Sequence, residues 1–111
     1  YYRAALSDLP IRMNPESPGT TNGFWMPTLV VEQGVAFDRE ALLTKFKAEN
    51  IDGRVFFWPL SMLPMFQQRP QNQVSYSIYG RAINLPSYHD ITDADLDRVI
   101  TCVTQFVCAK R

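Results

Sequence analysis

Two segments run from an arginine through apolar residues to a proline. One is Arg54-Val55-Phe56-Phe57-Trp58-Pro59, continued by Leu60-Ser61-Met62-Leu63-Pro64-Met65-Phe66; the other is Arg81-Ala82-Ile83-Asn84-Leu85-Pro86, continued by Ser87-Tyr88-His89. Proline locks its own φ, lacks an N–H and disfavours a helical residue before it. Each segment therefore predicts a short strand that stops in a shaped loop. Aromatic side chains and an arginine at such a strand end can wall a ligand pocket, and Arg54 and Arg81 could each make a bidentate contact to phosphate or carboxylate. The alternative for both arginines is a surface residue or an internal ion pair.

The remaining elements follow from caps and periodicity. Tyr1-Tyr2-Arg3-Ala4-Ala5-Leu6 reads as the last turns of a helix, and Ser7-Asp8-Leu9-Pro10 ends it. Residues 14–23, with two prolines and two glycines, read as a loop. Residues 24–31 are aromatic and β-branched and predict a strand, with Pro27 marking it as an edge or bulged one. Asp38 is placed to cap a helix running to about Glu49, with Leu42, Leu43 and Phe46 inward and Arg39, Lys45 and Lys47 toward water. Asn50 suits the left-handed position that closes it. Residues 51–58 predict a second strand, whose alternation sends Phe56, Phe57 and Trp58 to both faces. Residues 59–70 read as irregular with one helical turn, and residues 74–79 as a short helix ending at Gly80. Residues 82–85 predict a third strand. Thr92, with Asp95 three residues on, caps a last helix to about Ala109. In that helix Leu96, Val99, Ile100, Val103, Phe106 and Val107 keep a 3.6-residue period, which makes it the main anchor of the core.

The order predicts an α+β fold: a small two-layer domain with a short three-stranded antiparallel sheet and helices on one face. At 111 residues the chain is one domain, and its 46% apolar content is that of a globular protein. Eleven acidic and eleven basic residues balance, which argues against a nucleic-acid binder. No apolar run approaches membrane-spanning length and no signal peptide is evident, so no membrane partner is expected.

Cys102 and Cys108 are separated by roughly 600° of helix rotation and read as small residues of a reduced, cytoplasmic protein rather than a disulfide. Groups that could do chemistry are scarce. His89, beside Asp90, is the single histidine; a general base is one reading and a turn residue before a helix the stronger one. Neither cysteine has the helix N-terminus or nearby cation that a reactive thiolate needs. Clustered metal ligands and glycine-rich phosphate loops are absent from the sequence. Lys45, Lys47 and Lys110 lie in charged or terminal settings, unlike the desolvated amine of a Schiff-base lysine.

Four segments together resemble a known family. They are Asn22-Gly23-Phe24-Trp25-Met26-Pro27-Thr28, Ile51-Asp52-Gly53-Arg54, Phe57 through Phe66, and Gly80-Arg81-Ala82-Ile83-Asn84-Leu85-Pro86-Ser87-Tyr88-His89-Asp90-Ile91-Thr92. Their order and spacing resemble the C-terminal small domain of the DegT/StrS group of pyridoxal-phosphate (PLP)-dependent nucleotide-sugar aminotransferases, closest to its GDP-perosamine synthase-like members. The likeness covers nearly the whole chain.

The resemblance implies that residues 1–111 are a single C-terminal small domain. Residues 1–9 would be the end of a connecting helix and residues 24–111 the α+β core, with an N-terminal PLP-binding domain outside this chain. The parent would be a cytoplasmic homodimer that moves an amino group to a nucleotide-linked keto-sugar for surface polysaccharide such as O-antigen. PLP would be held by the parent and not covalently by this chain, which would be inactive alone. The resemblance makes Arg54, Trp58, Pro59, Met62 and Arg81 substrate-proximal candidates and assigns no catalytic, cofactor-binding or metal residue. Met62 stands where many relatives carry histidine, which weakens a polar contact to the sugar there. Two other readings remain. Asp52-Gly53-Arg54-Val55-Phe56-Phe57 faintly echoes an RNA-recognition strand but lacks its second aromatic motif and a positive charge. A non-catalytic structural module differs only in what Trp58 and Arg81 touch.

Overall fold

The structure, a computed structural model, describes residues 1–108, except for the side chain of Cys108. Its elements in chain order are α1 (Tyr2–Ala5), β1 (Ile11–Met13), β2 (Thr28–Val31), α2 (Arg39–Ala48), β3 (Arg54–Val55), a 3-10 turn (Leu60–Met62), α3 (Gln73–Tyr79), β4 (Ala82–Asn84) and α4 (Asp93–Cys108). Lys110 and the expected helix end at Ala109 lie outside the described residues.

The sheet is antiparallel throughout but has four strands, in the order β1-β2-β4-β3, where three were expected. The additional strand is β1. It is three residues long, and only Ile11 and Met13 share its inward side, so the alternation is too brief to stand out from sequence. It pairs Ile11 with Val31 and Met13 with Leu29.

Pro27 marks no edge. The inner strand β2 begins one residue later, so the missing N–H costs no ladder bond, and the Pro27 carbonyl accepts the Leu85 N–H at 2.9 Å. Residues 24–27 are not strand, because Phe24 takes a left-handed φ of 47° while its N–H bonds Asn22 Oδ1 at 2.8 Å. Asn14, itself at φ 42°, clamps the turn by donating to the Met26 carbonyl and accepting the Thr28 N–H.

The second expected strand is also cut short. β3 keeps only Arg54 and Val55, and the aromatic run beyond it leaves the sheet.

The helix caps form as their residues dictate. Asp38 accepts the Ala41 N–H at 2.9 Å. At the other end Asn50 sits at φ 56°, the Ile51 N–H reaches the Phe46 carbonyl at 2.8 Å and the Asn50 N–H reaches Lys47 at 3.2 Å. That pair of bonds is the Schellman arrangement. Thr92 and Asp95 close a reciprocal cap on α4: the Asp95 N–H bonds Thr92 Oγ1 at 3.1 Å, and that hydroxyl donates to Asp95 Oδ2 at 2.7 Å.

Leu29 and Val31 of β2, Ile83 of β4 and Leu85 form one core with Leu42 and Phe46 of α2, Val99, Val103 and Val107 of α4, and Tyr2 and Leu6 from the chain start. Leu43, Leu96, Ile100 and Phe106 pack half-buried around it.

Two outcomes test this packing. A Cβ at Gly53 would stand 2.2 Å from a ring carbon of Phe46. We expect Gly53→Ala to destabilise the chain by about 1–3 kcal/mol, measured by urea unfolding. Burial pushes the Tyr2 phenol up to about 12, against about 10 in an unfolded chain. Its contribution is whole below pH about 10 and is lost as pH rises toward the folded value, because the unfolded state ionises first. Tyr2→Phe should flatten that alkaline fall. It should also cost about 1 kcal/mol at neutral pH through loss of the 3.0 Å bond to the Pro86 carbonyl.

Candidate functional site

The five substrate-proximal candidates fall into three settings. Arg54 begins β3 and opens toward a cleft of about 420 Å³ shared with Met26, Asn84, Pro86, Tyr88 and Arg98. Its guanidinium is held by its neighbour Asp52, with Nη2 to Oδ2 at 2.8 Å. That hydrogen bond keeps the Asp52 carboxyl below its ordinary value. Arg98 on the far wall is engaged as well, donating to the Glu49 carbonyl at 2.6 Å and lying 3.5 Å from Asp95. The cleft therefore holds two arginines, each beside its own carboxylate.

Trp58, Pro59 and Met62 come together on the loop that leaves β3. Pro59 is extended at ψ 127° and its carbonyl accepts the Met62 N–H at 2.8 Å, which starts the 3-10 turn. The turn is anchored from below: Ser61, buried, is 2.6 Å from the Tyr76 hydroxyl, and that same hydroxyl accepts the Arg69 N–H at 3.1 Å. One phenol of α3 thus ties both ends of residues 61–69. Met62 faces a second cleft of about 420 Å³ with Gln68, Pro70 and Tyr76.

The aromatic run is largely outside the core. Phe56 is half-buried, whereas Phe57 is 55% and Trp58 50% exposed. Phe57 stacks on Trp25 with ring centres 6.2 Å apart, and Trp58 packs on Tyr79 at 4.4 Å.

Arg81 turns inward. It donates to the Val31 carbonyl and to Ser77 Oγ, joining the end of β2 to α3. Arg39, expected in water, is also tucked in, with its side chain 12% exposed. Its position in the first turn of α2 faces the end of α3, and a long side chain there reaches the Tyr79 carbonyl at 2.7 Å. His89 lies exposed in the turn before α4.

Three site-shaping residues escaped the sequence reading: Tyr76, Tyr79 and Asn84. Asn84 is the one with a signal, an amide within an otherwise apolar strand. It is buried, accepts from Thr28 Oγ1 at 2.8 Å and donates to the Val55 carbonyl at 3.4 Å, across both neighbouring strands.

The sequence pattern of the DegT/DnrJ/EryC1/StrS aminotransferase family matches residues 1–104. The chain belongs to that family. Among relatives, the GDP-perosamine synthase of Vibrio cholerae is 30% identical over 108 residues, 95% of this chain and 29% of the relative. That of Escherichia coli O157:H7 is 23% identical over 110 residues, 98% of this chain and again 29% of the relative. The chain thus spans less than a third of the length of the curated relatives it matches.

Solved family structures share the fold. The aminotransferase TlmJ of Streptoalloteichus hindustanus superposes with a TM-score of 0.80 at 18% identity, over 99% of this chain and 30% of that one. The Streptococcus pneumoniae protein Spr1654, solved in its PLP form, gives 0.82 at 17%, over 97% and 29%.

The described lysines do not fit an aldehyde cofactor. Lys45 bonds Glu49 at 2.6 Å, and that bond raises the ammonium above its ordinary value while lowering the Glu49 carboxyl. Imine formation needs the neutral amine, so this pairing works against it. Lys47 is exposed on α2. Among the described residues no three of His, Cys, Asp and Glu converge to hold a metal ion, and no helix is long and apolar enough to cross a membrane.

Because its guanidinium bonds inside the protein, Arg81→Ala should lower stability by about 1–3 kcal/mol, read by urea unfolding of this chain.

Proposed function

We propose that this chain is the C-terminal small domain of a PLP-dependent sugar aminotransferase. Its loop after β3 forms one wall of the site where a nucleotide-linked keto-sugar receives an amino group. The family match and the GDP-perosamine synthase relatives support the reaction class. The observation that carries the assignment of the wall is Trp58, half-exposed on a loop fixed by Pro59, the 3-10 turn and Tyr76. A flat indole open on one side suits the apolar C–H face of a sugar ring. Met62 adds an apolar, adaptable contact and offers no charge.

In this reading the cofactor's lysine belongs to a large N-terminal domain, with which this one pairs, in a cytoplasmic homodimer serving polysaccharide synthesis such as O-antigen. Arg54 and Asp52 line a neighbouring cleft as a neutral pair. Arg81 favours the structural reading for its own position, since its hydrogen bonds run to Val31 and Ser77.

Two measurements test the proposal. Borohydride treatment with PLP should give this chain no label on Lys45, Lys47 or Lys110 that depends on the folded state, whereas the longer protein should be labelled. In the longer protein, Trp58→Ala should raise KM for the nucleotide sugar about tenfold, with the KM for the amino donor unchanged. An unchanged sugar KM removes Trp58 from the wall.

A further inference from the structure

Trp58 does not stand alone. Its ring centre lies 4.4 Å from that of Tyr79, at an interplanar angle of 39°. The Arg39 guanidinium carbon lies over the Tyr79 ring, 4.8 Å from its centre. Arg39 is itself held by two partners. Its Nη1 donates to the Tyr79 carbonyl at 2.7 Å, and its Nε and Nη2 donate to Glu40 at 3.1 and 2.8 Å. A planar guanidinium bonded at both edges is restrained in rotation, and it restrains the plane of the ring beneath it.

The order of the stack gives it a direction. Arg39 is a helix-start residue of α2, which is fastened to the core by Leu42 and Phe46. Tyr79 is the last residue of α3, where a free carbonyl calls for a donor. Arg39 supplies that donor and covers the ring with the same group. Trp58 is the outermost member, with half its surface open. A side chain on a loop of this kind would otherwise sample several rotamers, and each would have to be given up on binding.

The geometry points to Arg39 and Tyr79 as positioning residues that hold Trp58 in one orientation for its ligand. Neither touches the open face of the indole. They act through it, by transmitting the rigidity of the core through α2 and the end of α3 to the loop. The inference rests on the assignment of Trp58 to the sugar wall, but its mechanical part concerns this chain alone.

The two parts are tested separately. Labelling the chain with 5-fluorotryptophan gives two fluorine resonances, since the sequence has two tryptophans, and Trp25→Phe identifies that of Trp58. Tyr79→Leu and Arg39→Met should each shift the Trp58 resonance toward that of free fluorotryptophan and leave the Trp25 resonance in place. Tyr79→Phe, which keeps the ring, should leave both unchanged. A Trp58 resonance unmoved in both Tyr79→Leu and Arg39→Met overturns the inference. So does a joint shift of both tryptophans, which marks general loosening of the fold.

In the longer protein, Arg39→Met should raise KM for the nucleotide sugar about tenfold while kcat and the KM for the amino donor stay near wild type. If the Trp58 resonance moves as expected but the sugar KM does not, the stack stands and the assignment of Trp58 to the sugar wall falls. Tyr79→Leu provides the second variant in both measurements, so poor folding of one leaves the other to decide.

Discussion

β4 bonds to both of its neighbours within three residues, and the rest of the sheet is arranged around that fact. Ala82, Ile83 and Asn84 are all buried, so the strand is covered on both faces. β2 pairs with all three residues of β4, β3 with two of them, and the ladder is extended by Val31 N–H to the Arg81 carbonyl and Leu85 N–H to the Pro27 carbonyl. A strand covered on both faces ordinarily reads as a continuous apolar run. Asn84 breaks that run, and its amide is tolerated because Thr28 and Val55 on the adjoining strands satisfy it.

This placement explains why the two arginine-led segments behave differently although they look alike in sequence. The segment at Arg81 enters the centre of the sheet. Its arginine is therefore drawn onto the β2 carbonyl and Ser77, and its residues to Leu85 are buried. The segment at Arg54 pairs at the edge, where only two residues bond before the chain peels away. The freed residues then pack on side chains rather than on strand: Phe57 on Trp25, Trp58 on Tyr79 and Ser61 on Tyr76. The aromatic cluster lies outside the sheet because the sheet ends there.

The parts of this fold that were legible from sequence are those decided within a turn or two of chain. Asp38, Asn50 and the Thr92–Asp95 pair cap helices through local bonds to residues three positions away, and the apolar period of α4 repeats long enough to be unambiguous. The four-segment resemblance also located the family and its α+β fold. What escaped depended on distant partners. β1 is a strand because β2 lies beside it, Phe24–Pro27 is not one because Asn14, twelve residues before Met26, clamps it, and Arg39 leaves water because Tyr79 is forty residues away in sequence and adjacent in space. At the candidate site the irregular stretch after Pro59 with its single helical turn was legible, whereas Trp58 was expected in the strand, and the phenols beneath the turn were missed because a tyrosine in a short helix carries no mark of what its ring will touch.

Four arginines around the site, Arg54, Arg98, Arg39 and Arg81, share one property that bears on ligand chemistry. Arg54 is paired with Asp52, Arg98 with Asp95 and the Glu49 carbonyl, Arg39 with Glu40 and the Tyr79 carbonyl, and Arg81 with Val31 and Ser77. Recruiting any of them to a phosphate would require an existing hydrogen bond to be given up, and for Arg54, Arg98 and Arg39 the charge already stands beside a carboxylate. This face also presents aromatic and thioether surface at Trp58, Phe57 and Met62. Such a surface recognises ring shape and apolar faces, and it discriminates weakly by charge. In the proposed reading, this domain would meet the sugar ring through that surface, and a phosphate would have to displace an existing partner to engage any of these four arginines.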